Sequence, residues 1–181
     1  PVHSAARWMR CLFNTFIAVD DLKTHYYDMK DFKLINTTIT DTLFFRAEFK
    51  GGMGYNDSYN LNFYHTFNKD NKSVIGLKTS DISFKGNEWI LNNDNDDRNK
   101  VEFNKTLDSI TIKEVVMNNG EDEQIRLRGQ LADSTYKDLQ LQFKIASLNK
   151  ITPTIDSLRL DGQVNGILNV LQKDNIYLPS S

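Results

Sequence analysis

The sequence predicts an all-β protein, built as a curled antiparallel sheet. Three observations carry that expectation. Apolar and polar residues alternate with period two in stretch after stretch, as strands with one greasy and one wet face require. The composition suits strands, with 11 Phe and 7 Tyr but only 3 Pro in 181 residues, and with few alanines to favour helix. The segments between the runs are short and rich in Asn, Asp and Gly, the residues that make turns. Loops of hairpin length join antiparallel neighbours, whereas parallel pairing needs long crossovers.

Taken in order, residues 4–19 open the chain with some helical character, and strands follow at Phe32 to Ile39 and in "LFFRAEF". In the latter, Leu43, Phe45, Ala47 and Phe49 share a face against Arg46 and Glu48. "YNLNFYHTF" places Tyr59, Leu61, Phe63 and Phe67 on one side, with His65 among them. Shorter strands are expected at 74–78, 81–85, 88–91, 100–103 and 109–113. "QIRLRGQL" alternates Ile125, Leu127, Gly129 and Leu131 with Arg126, Arg128 and Gln130. "LQLQFKI" sets Leu139, Leu141, Phe143 and Ile145 against two glutamines and Lys144. In "ASLNKITPTID" a helical spacing of Leu148, Ile151 and Ile155 is limited to a turn or two by Pro153.

The last strand is the longest. From Leu158 to Val170 the even positions are Leu158, Leu160, Gly162, Val164, Gly166, Leu168 and Val170, with mostly polar residues between. Two glycines on the apolar side weaken a strand interior. Two readings stand: they serve a bulge or a packed helix, or they curve the wall of a concave apolar channel. A repeated strand grammar also runs through the chain: "TDTLFF", "LDSITI" and "IDSLRL" share an Asp-Thr/Ser-apolar start at irregular spacing. No linker or domain boundary interrupts it.

Charge and motifs exclude several classes of function. Lys and Arg number 22 against 24 Asp and Glu, interspersed, for a net charge of −2, which lacks the clustered basic surface of a nucleic-acid binder. Mean hydropathy is −0.51, and no run approaches the ~18 apolar residues of a membrane helix. The single cysteine, Cys11, reads as a buried thiol. His3, His25 and His65 have no metal-ligand spacing, and no phosphate loop or nucleophile elbow occurs. "DNDDRN" at 94–99 lacks the glycine and terminal glutamate of a calcium loop and reads as a solvated hairpin turn. No catalytic residues, metal or cofactor are expected.

"NKITPTIDSLRLDGQVNG", "LQKDNIYLPSS", "VDDLKTHYYDMKDFKL" and "DTLFFRAEFKGG" resemble the TamB family of translocation and assembly proteins. The likeness is to the form carried by Bacteroidota, within the AsmA-like bridge-like lipid transporters. It spans residues 17–181, while residues 1–16 carry none of these motifs and stand as a separate N-terminal boundary segment. It implies an internal piece of a periplasmic protein anchored in the inner membrane of a Gram-negative bacterium. Its sheet would curl into an open, taco-like half-pipe with an apolar concave face. Phospholipid acyl chains would move along that face, and a TamA- or BamA-type outer-membrane barrel would meet regions outside this chain.

On that reading Phe45, Phe49, Leu61, Phe63, Leu127, Leu141, Phe143, Leu160, Val164 and Leu168 line the groove, and Gly162 and Gly166 set its curvature. The same alternation would serve a closed β-sandwich, so a secreted or surface adhesin or glycan-binding module is the competing expectation. There the Tyr26-Tyr27 pair and Trp89 would stack on sugar.

Overall fold

Among the described residues thirteen strands join edge to edge in one curved, antiparallel sheet. The computed structural model describes residues 14–23, 27–52, 56–120, 122–133, 135–151, 161–174 and 176–178. The strands are β1 (Thr15–Leu22), β2 (Met29–Ile39), β3 (Thr42–Gly51), β4 (Asp57–Phe67), β5 (Ser73–Leu77), β6 (Ser80–Phe84) and β7 (Asn87–Leu91). They continue with β8 (Lys100–Phe103), β9 (Ser109–Asn119), β10 (Glu123–Ala132) and β11 (Tyr136–Ser147). One helical turn, α1 (Leu148–Ile151), precedes β12 (Gln163–Lys173) and β13 (Ile176–Leu178).

The apparent complexity of the middle hides a plain meander. β4 and β9 are long strands, and each is flanked by two short ones lying end to end. β5 pairs with Phe63–Phe67 of β4, and β6 with Ser58–Asn60. β8 and β7 divide β9 in the same way. So β5 and β6 form one line broken at Lys78 and Thr79, and β7 and β8 form another with residues 92–99 looped out between them. This corrects the expectation of a hairpin turn at 94–99.

Two asparagines close that excursion. Asn92 and Asn99 are 2% and 3% exposed. Asn92 Nδ2 donates to the Leu77 carbonyl at 2.7 Å, and the Val116 amide donates to Asn99 Oδ1 at 2.8 Å. The two side chains join through Asn99 Nδ2 and Asn92 Oδ1 at 3.0 Å. Where the ladder breaks, backbone groups would be orphaned, and these amides stand in for the missing strand. Asp96, on the excursion, is held below the usual carboxylate range by the hydrogen bonds from Arg98.

Residues 15–19 also depart from expectation, because they belong to a strand. β1 pairs with β2 from Thr15↔Asn36 to Leu22↔Met29. Its Thr15, Ile17 and Val19 are β-branched at alternate positions, and a waiting edge strand decides a segment whose helical spacing was weak. The final long strand begins at Gln163 rather than Leu158, and residues 152–160 lie outside the described residues. α1 is the single turn that the position of Pro153 allowed.

Irregularities bend the sheet. The register slips between Lys30 and Lys33 of β2, between Phe143 and Ala146 of β11, and along β9 against β8 and β10. Each inserted residue adds local twist and turns the strand out of a flat ladder.

Candidate functional site

Register places the apolar residues in continuous transverse rows, because directly paired residues point to the same side of a sheet. One row reads Leu43, His65, Ile75, Val101, Ile112, Gly129, Leu139 and Val170, across β3 to β12. Beside it run Phe45–Phe63–Leu77 on one half and Val115–Leu127–Leu141–Leu168 on the other. A further row reads Leu91, Met117, Ile125, Phe143 and Gly166. The opposite face carries Arg46, Asn60, Asn62, Arg128, Gln140 and Gln142, at the intervening paired positions.

Nine of the ten expected lining residues therefore share this face: Phe45, Phe49, Leu61, Phe63, Leu127, Leu141, Phe143, Val164 and Leu168. Leu160 lies outside the described residues. The face is divided in character. β3 and β4 stack rings, with Phe45 on Phe63 at 5.0 Å and Phe49 on Tyr59 at 4.5 Å, whereas β9 to β12 present Ile, Val and Leu.

The face is only partly covered. Of its large apolar side chains Trp89 and Leu91 alone are buried among the described residues; Phe45, Phe63, Leu127, Leu141 and Phe143 are half-open, and Leu168 is exposed. A packed second layer would seal such side chains as a sandwich core does. Two open depressions of about 430 and 400 Å³ lie on the polar side instead, one beside Lys33, Glu48 and Asp81, the other beside Lys113, Arg128 and Gln140. A twisted sheet is saddle-shaped, and hollows on the polar face follow from that twist.

The glycines sort differently from the sequence reading. Gly166 (φ +154°) and Gly162 (φ +118°) hold backbone conformations that favour glycine, yet a Cβ at either would meet nothing within 4 Å. They relieve the backbone near the β11 slip and give no clearance to a neighbour. Gly129 does clear a close approach of a neighbouring backbone: at φ +142° an added Cβ would overlap the Asp138 carbonyl oxygen of β11. Its place in the alternation was legible, but the contact needs the partner strand.

At one end the apolar face meets a polar belt that sequence reasoning missed. The row Phe49, Tyr59, Ile82, Trp89, Asn119 and Glu123 marks the border. On the β4 side, the Tyr27 and Tyr59 hydroxyls lie 2.9 Å apart, and Tyr27 donates to Asp57 Oδ2 at 3.3 Å. The Lys85 amide donates to Asp57 Oδ1 at 2.9 Å. Burial, then the hydrogen bond with Tyr59, pushes the Tyr27 phenol well above its ordinary value; burial raises Tyr59 too. On the β10 side, Glu123 Oε1 accepts from Ser147 Oγ at 2.5 Å and faces Lys150 Nζ at 3.2 Å. Nothing in the chain announces these partners, since Tyr27 and Asp57 stand 30 residues apart and Glu123 and Ser147 stand 24 apart.

Among the described residues no three His, Cys, Asp or Glu side chains gather as a metal site. Trp89, at 2% exposure, presents no ring to a sugar, and Tyr27 is engaged with Tyr59. Tyr26 lies outside the described residues. Comparison with protein-family models, with curated proteins and with solved structures yields no match.

Proposed function

We propose that this chain is a non-catalytic segment of a TamB-like lipid conduit, in which phospholipid acyl chains lie along the half-open apolar face. On this reading the sheet is the wall of a half-pipe in the periplasm. The full protein is anchored in the inner membrane, carries phospholipid between the two membranes and supports outer-membrane protein assembly. Its barrel partner, of the TamA or BamA type, docks elsewhere on the protein.

The observation that supports the reading is a continuous apolar face, eight paired positions wide, whose large side chains are left half-open. Uncovered surface of that kind marks an interaction site, and each acyl CH₂ laid on it contributes about 0.8 kcal/mol. Polar groups are sparse in the rows, so tails rather than a headgroup would be recognised. A glycan-binding module has less support, because Trp89 is buried and the face is apolar.

The test is a photocrosslinking amino acid placed in cells at Phe63, Phe143 or the polar-face position Gln142. Phospholipid adducts are expected at Phe63 and Phe143 and absent at Gln142. Equal labelling at Gln142, or none at either phenylalanine, rules the conduit out.

A further inference from the structure

Besides the Leu148 amide's bond to the Gly162 carbonyl at 2.8 Å, the helical turn α1 is tied down at two separated places. Lys85 Nζ, in the β6–β7 turn, donates to the Asn149 carbonyl at 3.3 Å. Glu123, at the start of β10, holds Ser147 and Lys150. Between those anchors the sheet order is β7, β9, β10, so a segment bonded to both crosses the ends of β7 and β9. Glu123 lies on the apolar side, since its register row runs through Asn119 to Trp89. Trp89 is 2% exposed there, whereas the rows nearer the opposite end are half-open and Phe67 at that far end is 54% exposed.

We propose that α1 is a strap that shuts one end of the apolar face, with Glu123 as its latch. The inference deepens the conduit reading and rests on it for the identity of what the strap blocks. Glu123 is 3% exposed, and its Oε2 has no hydrogen-bond partner. A carboxylate removed from water on an apolar surface is compensated only if it is paired, and a buried ion pair comes close to balancing its own desolvation. When α1 lifts, Glu123 and Lys150 lose each other and regain water. The latch pair itself therefore adds little net stability, and an acyl chain competing for the Trp89 end of the face biases the balance between docked and lifted states. The apolar face is closed at the belt end and open at the Phe67 end until the strap moves.

The chain has two tryptophans, Trp8 and Trp89, so Trp8→Phe leaves Trp89 as the sole reporter. Acrylamide quenching of Trp89 is measured in that protein and in Glu123→Gln, Lys150→Met and Lys85→Met versions of it. The last change sits on an exposed turn and leaves the ladder intact, so it serves if a Glu123 variant fails to fold. Quenching is expected to rise at least about threefold in the latch variants as the strap opens. Unchanged quenching in all folded variants overturns the strap.

A second arm replaces acrylamide with dibrominated phosphatidylcholine in mixed micelles. Quenching of Trp89 at a lower lipid concentration when the latch is cut supports the proposal, and the same lipid dependence with the latch intact overturns it. Phospholipid crosslinking at Phe143 is run alongside. Its failure would sink the conduit reading, while the acrylamide series would still decide whether the strap opens.

Discussion

Asn92 and Asn99 show how single side chains replace secondary structure. Truncating either leaves buried backbone groups of Leu77, Asp96 or Val116 without partners. Each such orphan costs about 1–3 kcal/mol, so Asn92→Ala and Asn99→Ala are each expected to lower unfolding free energy by about 2–4 kcal/mol, read by urea denaturation. Tyr27 yields a prediction about pH. Its folded-state pKa is raised, so its share of stability is present below the ordinary tyrosine range and is lost as pH rises above about 10. The denaturation midpoint should fall steeply on the alkaline side, and Tyr27→Phe should flatten that fall while lowering the neutral-pH midpoint. An alkaline limb that Tyr27→Phe leaves unchanged would place the titrating group elsewhere.

Strand β10 illustrates what an element needs from its neighbour. Gly129→Ala forces a side chain against the Asp138 carbonyl at positive φ and should cost upwards of about 2 kcal/mol. Gly166→Ala meets open space, so it should cost only the backbone strain, about 1–2 kcal/mol. Comparable losses at both sites, measured by thermal and urea unfolding, would contradict this division. The turns at the end away from the belt are anchored by short local hydrogen bonds. Asn104 and Thr106 hold the Asp108 carboxyl below its usual range, and Thr135 does the same for Asp133. That support holds above the ordinary carboxylate range and is lost as pH falls below about 4.

For the molecule as a whole, the decisive property is that an apolar face is left half-open. Replacing Leu127, Leu141 and Leu168 together by Gln should therefore cost less than a buried core would. Fully buried leucines lose about 2–5 kcal/mol each on truncation, and here about 1 kcal/mol each is expected from partial burial. On the proposed conduit reading, the triple variant should stay folded by circular dichroism while phospholipid adducts at Phe143 disappear. Unfolding of the variant would mean that the face is a sealed core. Retained adducts would mean that these leucines do not carry the lipid.

Alternation by itself determined most of the strands, their two faces and the shared face of nine of the residues expected to line a groove, because the side-chain period of a strand is a local property of the chain. It also marked the short helical turn ahead of Pro153. Weak local signals yield where a partner decides the outcome: residues 15–19 form a strand because the edge of β2 accepts them, and 94–99 form a mid-strand excursion in which Asn92 and Asn99 supply Leu77 and Val116 with substitutes for ladder bonds. The belt of Tyr27, Asp57, Tyr59, Glu123 and Lys150 is wholly a tertiary product, assembled from segments far apart in sequence. So is the exposure of the apolar rows. The same alternation serves a sealed sandwich or an uncovered sheet, and only the placement of every strand in one sheet left that face half-open.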